Sequence, residues 1–118
     1  MAWFPTVGEP NPAWELGEPD VTDSFTVNVG DTYDITVTQI PRYIQLTRVV
    51  YNNTNGYAYS CIYDVKNNKC RFSGRNANGF ATGTSATAFF SSVTSSVVQV
   101  KGATSGSTVY AFAVAIWY

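Results

Sequence analysis

The final ten residues, Val109 to Tyr118, read VYAFAVAIWY and constrain the fold more than any other stretch. Tyr110, Phe112, Val114, Ile116 and Tyr118 share one parity, while Ala111, Ala113, Ala115 and Trp117 share the other. Read as a strand, the run has two apolar faces and no polar one, so both faces are expected to be covered. The bulky set suits the inside of a sandwich, and the alanine row lets another surface come close. That cover is supplied either by the rest of the same chain or by a second subunit. The run is about half the length of a membrane-spanning helix, so no membrane span is expected.

The rest of the chain agrees with an all-β fold. Only two leucines occur, against fourteen valines and fourteen threonines, a bias toward residues that suit a pleated surface. Phe25, Val27 and Val29 share one face of a first strand, and Tyr33, Ile35 and Val37 one face of a second. A two-residue hairpin between them would set Phe25 against Thr36, so the connection is either three residues long or a crossing between sheets. After Pro41, Tyr43 to Tyr51 alternates, with Arg48 on the otherwise apolar side; it must lie near a sheet end or be paired. The Asn52 to Gly56 turn leads to a strand at Tyr57 to Asp64, and Lys69 to Ser73 makes a shorter one. Gly74 to Gly83 holds three glycines and two asparagines and reads as a long loop. Thr87 to Ser92, Ser96 to Lys101 and Thr108 to Tyr118 complete about eight strands, which predicts a two-sheet β-sandwich or jelly-roll-like domain over residues 24–118.

Residues 1–23 follow different rules. They hold four of the five prolines and two of the three tryptophans, which disfavours helix and central strand and predicts an extended arm. Glu9, Glu15, Glu18, Asp20 and Asp23 give it a net charge of −5, whereas the remainder carries +4. Trp3, Phe4, Trp14 and Leu16 would be costly to leave in water, so they are expected to dock, on the arm's own domain or on another protein. The opening residues have no basic and apolar run of the secretory kind, and the mature chain is expected to start here.

Cys61 and Cys70 would face each other across a four-residue loop at Asp64 to Asn67, where a disulfide is possible. A tighter turn at Asn67-Asn68 would set Cys70 against Val65 and forbid it. Without an export signal, two reduced structural thiols are expected.

Chemistry finds little support. The chain has no histidine, so a Ser-His-Asp or Cys-His arrangement cannot be assembled, and neither a zinc site nor any other cofactor is expected. Asp31 reads as a turn residue and Asp34 as the polar side of its strand. The scattered cations form no stripe for nucleic acid. Tyr57, Tyr59 and Tyr63 share one parity and would suit a pyranose ring if exposed, or cross-strand aromatic packing if not.

The MAWFPTVGEPNPAWELGEPD arm, the DSFTVNVGDTYDITVT strand pair, the Thr/Ser/Asn/Gly-rich body and the aromatic final strand together resemble small structural proteins of tailed-phage virions. The nearest kind is the capsid decoration, or cement, protein; the knob of a head fibre or tail fibre is also similar. The resemblance covers the whole chain as a style, with no diagnostic motif. It implies a non-enzymatic homotrimer, assembled in the host cytoplasm and residing on the virion, that binds the major capsid protein or another virion protein. Trp3, Phe4, Trp14 and Leu16 would anchor the arm, Glu9, Glu15 and Glu18 would steer it, and Ala111, Ala113, Ala115 and Trp117 would form the subunit interface. A fibre knob would instead bind host surface glycan through Tyr57, Tyr59 and Tyr63.

Overall fold

The computed structural model describes residues 16–51, 56–76, 79–104 and 109–118. Among these the chain forms nine strands: β1 (Val21–Val27), β2 (Thr32–Thr36), β3 (Tyr43–Tyr51), β4 (Gly56–Asp64), β5 (Lys69–Asn76), β6 (Gly79–Gly83), β7 (Phe90–Val93), β8 (Val97–Lys101) and β9 (Val109–Trp117). They make two antiparallel sheets, one of six strands in the order β1-β9-β3-β4-β5-β6 and one of three in the order β2-β8-β7. The result is the all-β sandwich that the alternation predicts.

One parity of each central strand supplies the core. Ile44 and Leu46 from β3, Cys61 from β4, Phe112, Val114 and Ile116 from β9 meet Ile35, Val98 and Val100 from the smaller sheet. Phe89, between a 3₁₀ turn (Ala86–Ala88) and β7, is completely buried and meets the edge of the Phe72 ring at 4.9 Å. Burial of these large side chains, each worth roughly 1.5–3 kcal/mol, fixes the register, because a one-residue slip would turn the set to water.

The passage from β1 to β2 is a crossing between sheets. The Asp31 amide donates to the Asn28 carbonyl at 3.1 Å, and Gly30 sits at φ +81°, a backbone angle that a residue with a Cβ rarely adopts. β1 then pairs with β9 and β2 with β8, so Phe25 never opposes Thr36. The sheet also begins earlier than the sequence suggests: Val21 to Asp23, assigned to the arm, are paired with Ile116 to Val114.

Two other expectations are corrected. The Gly74 to Gly83 stretch is mainly strand: β5 runs to Asn76 and β6 occupies Gly79–Gly83. Gly74 and Gly83 are there for room, since a Cβ on Gly74 would overlap the Ala58 carbonyl and Tyr59, and one on Gly83 would overlap the Phe72 ring. The β4-β5 hairpin takes neither expected register. Tyr63 faces Cys70 and Cys61 faces Phe72, with Asn68 at φ 50° closing the turn and accepting a 2.8 Å hydrogen bond from the Tyr63 hydroxyl. Both cysteines are free and buried.

Candidate docking face

Among the described residues, the six-stranded sheet turns one face to the core and leaves the other open. Reading across the hydrogen-bonded register, the middle row of the open face is Ser24, Ala113, Thr47, Ser60, Ser73 and Thr82. The row toward one end is Thr22, Ala115, Gln45, Ile62 and Arg71, and the row toward the other is Thr26, Ala111, Val49, Ala58 and Arg75. At about 4.8 Å per strand the surface is about 24 Å wide. Ser24, Ser60, Ser73 and Ala113 are exposed, and Ile62 retains 47% of its surface.

The alanine row gives this face its relief. Ala111, Ala113 and Ala115 each offer only a methyl group, while the flanking strands present Thr22, Ser24, Gln45 and Thr47. A shallow trough of about 650 Å³ lies over part of this row, with Ala113 and Ala115 as its floor and Thr22, Asp23, Ser24, Gln45 and Thr47 at its rims. Of the two covers expected for this strand, the chain itself supplies the one over the bulky face; among the described residues nothing covers the alanine face, where Ala113 is exposed and Ala111 and Ala115 are half-buried. Small side chains allow a protein backbone to approach, and the rim hydroxyls can donate to or accept from it.

Trp117 shares the alanine parity but is sealed, with 8% of its surface exposed. Its indole N–H donates to the Gly17 carbonyl at 3.0 Å. The Asp20 amide donates to the Ile116 carbonyl at 2.8 Å, and the Tyr118 amide donates to Asp20 Oδ2 at 2.8 Å. Residues 17–20 are thus fastened to the end of β9, which fixes where the arm leaves the domain. Leu16 is half-buried and Glu18 exposed, whereas Trp3, Phe4, Glu9, Trp14 and Glu15 lie outside the described residues.

Tyr59 and Tyr63 are not brought to the open face. Tyr63 is buried, its ring stacked at 5.6 Å from Phe90, and its hydroxyl proton is held above its ordinary pKa chiefly by burial. Tyr59 packs at the inner side against Arg48. Tyr57 contributes its backbone to β4, and its side chain lies outside the described residues. The parity that aligned Tyr59 and Tyr63 is the core parity of β4, which they share with Cys61.

Arg48 is paired, as its place on the apolar parity requires, but with rings. Its guanidinium carbon lies 4.4 Å from the Tyr110 centroid, 4.7 Å from Phe89 and 4.8 Å from Tyr59. Nε is buried without a hydrogen-bond partner, and burial pulls the guanidinium below its ordinary pKa. Three aromatic faces offset part of that desolvation. The sequence signals that Arg48 needs a partner, but not that three separate elements supply it.

Among the described residues no three His, Cys, Asp or Glu side chains converge as a metal site would require, and no helix is long and apolar enough to cross a membrane. No protein-family model, curated protein or solved structure matches the chain.

Proposed function

We propose that this protein is a non-catalytic structural component of a phage virion, a decoration or cement protein that stabilises the shell through contacts repeated by symmetry. The observation that carries this reading is the open alanine trough with its polar rims, ended by the clamp from which the acidic, aromatic arm departs. The trough offers close approach over several strands, and the arm supplies hydrophobic anchors and negative charge for a basic surface. Individually weak contacts suffice when many copies act on one shell. In this reading three copies meet as a homotrimer on the major capsid protein. The inward rings of Tyr59 and Tyr63 leave the glycan-binding knob without two of its three platform residues.

The test is binding to empty shells that lack the protein. Saturable, stoichiometric binding is expected, together with a trimer in sedimentation. A variant lacking residues 1–15 keeps the Gly17 and Asp20 clamp and should fold yet bind far more weakly, since each lost aromatic anchor is worth roughly 1.5–3 kcal/mol. A folded variant that binds with full affinity would remove the arm from the mechanism. Failure of the intact protein to bind any shell would overturn the proposal.

A further inference from the structure

Cys61 and Cys70 lie two strand positions out of register, so they are diagonal neighbours on the core side of β4 and β5. Their Sγ atoms are 3.2 Å apart. A disulfide needs 2.03–2.05 Å, so closing the bond requires about 1.2 Å of approach between side chains that already touch. The two sulfurs differ in access. Cys61 is completely enclosed, while Cys70 retains 6% of its surface and lines a groove of about 700 Å³ whose charged residues are Asp64, Lys69 and Arg71. Cys70 is therefore the more accessible of the two residues and the one a small oxidant meets first. Burial and the contact with Cys70 push the Cys61 thiol up, which disfavours it as the first attacking sulfur.

We propose that Cys61 and Cys70 are an oxidation site that closes to an intramolecular disulfide by reaction with a low-molecular-weight disulfide such as glutathione disulfide. The Cys70 thiolate attacks one sulfur of the oxidant, whose S–S bond breaks and expels one thiolate. Cys61 then attacks Cys70 Sγ, the mixed S–S bond breaks, and the Cys61 proton passes to the second departing thiolate. In sum, two protein thiols and one small disulfide give one protein disulfide and two small thiols. The bond would tie β4 to β5, so the same fold is looser in a reducing compartment and fastened in an oxidising one. This inference does not depend on the docking reading.

The test treats the folded full-length protein with glutathione disulfide and follows intact mass and free thiols. The expected product has lost two hydrogens, carries no glutathione, retains no alkylatable thiol, and melts roughly 5–10 °C higher than the reduced form. Cys61→Ala should stop at a stable glutathione adduct on Cys70, which separates the attacking sulfur from the resolving one. Accumulation of adduct on the unmodified sequence, bridging only between molecules, or no reaction of the folded chain under conditions that oxidise the denatured chain would each overturn the proposal.

Discussion

The Phe25 ring lies 3.8 Å from the Tyr33 ring with 9° between their planes, and this stack joins two consecutive strands that belong to different sheets. The Tyr33 hydroxyl also donates to Asp23 Oδ2 at 2.9 Å, and Phe25 packs at 5.4 Å against Phe112. β1 is an edge strand, so these contacts fasten one side of the sandwich. Phe25→Ala is expected to lower stability by about 2–3 kcal/mol in urea unfolding with an unchanged slope. A loss below about 0.5 kcal/mol would mean that the sheets are joined elsewhere.

Stability should fall at alkaline pH. Burial and its hydrogen bond with Cys70 push the Cys61 thiol up, burial pushes Tyr63 up, and the hydrogen bond to Asp23 pushes Tyr33 up. The unfolded chain releases these protons at their ordinary values, 9.0 for the thiol and 10.0 for the phenols, whereas the folded chain still holds them. Their contribution is therefore complete below the ordinary values and is lost as pH rises toward the folded ones. Melting temperature measured from pH 7 to 11 should start to drop near pH 9. Cys61→Ala should remove the earliest part of the drop, and Tyr33→Phe a later part.

The alternation of β3, β8 and β9 was legible in the sequence because one parity of each is apolar and buried. What lay beyond it depended on neighbours. The step of β1 and β2 into different sheets is decided by pairing with β9 and β8, and a single strand's pattern carries no record of its partner. β6 was hidden because glycine usually marks a loop, whereas here Gly74 and Gly83 sit under the rings of Tyr59 and Phe72. The alanine row was legible as small, but whether a face is covered is a property of the assembled sheet.

That account of the glycines gives a direct test. Gly83→Val would place a branched side chain where the Phe72 ring lies and displace it from Phe89. A loss of about 1–3 kcal/mol is expected from overpacking, despite the higher strand propensity of valine. Gly83→Val combined with Phe72→Ala should lose less than the sum of the two single changes.

Arg48 should tolerate replacement by an apolar chain better than truncation. Arg48→Ala leaves Tyr59, Phe89 and Tyr110 around a void, at a cost of about 2–4 kcal/mol. Arg48→Met refills much of that space and removes the buried, unpartnered Nε, so its cost should stay below about 1.5 kcal/mol. Equal losses in chemical denaturation would mean that the charge itself, through its contacts with the rings, holds this end of the core.

The open face is tested most sharply at Ala113, which lies mid-trough between Ser24 and Thr47. Its side chain points to solvent in the isolated domain, so Ala113→Arg should change the stability of the monomeric fold by no more than about 0.5 kcal/mol. In a docked state the same arginine would stand where the floor admits only a methyl group, and its charge would be buried without a partner. Binding to shells, or assembly of the oligomer, should then fall by more than a hundredfold, equivalent to about 2.7 kcal/mol. Ala113→Ser, which matches the neighbouring rim in size and polarity, should retain binding within about threefold. If Ala113→Arg assembles and binds like the unmodified protein, the trough is free surface in the complex, and the contacts must be sought on the arm or on the three-stranded sheet.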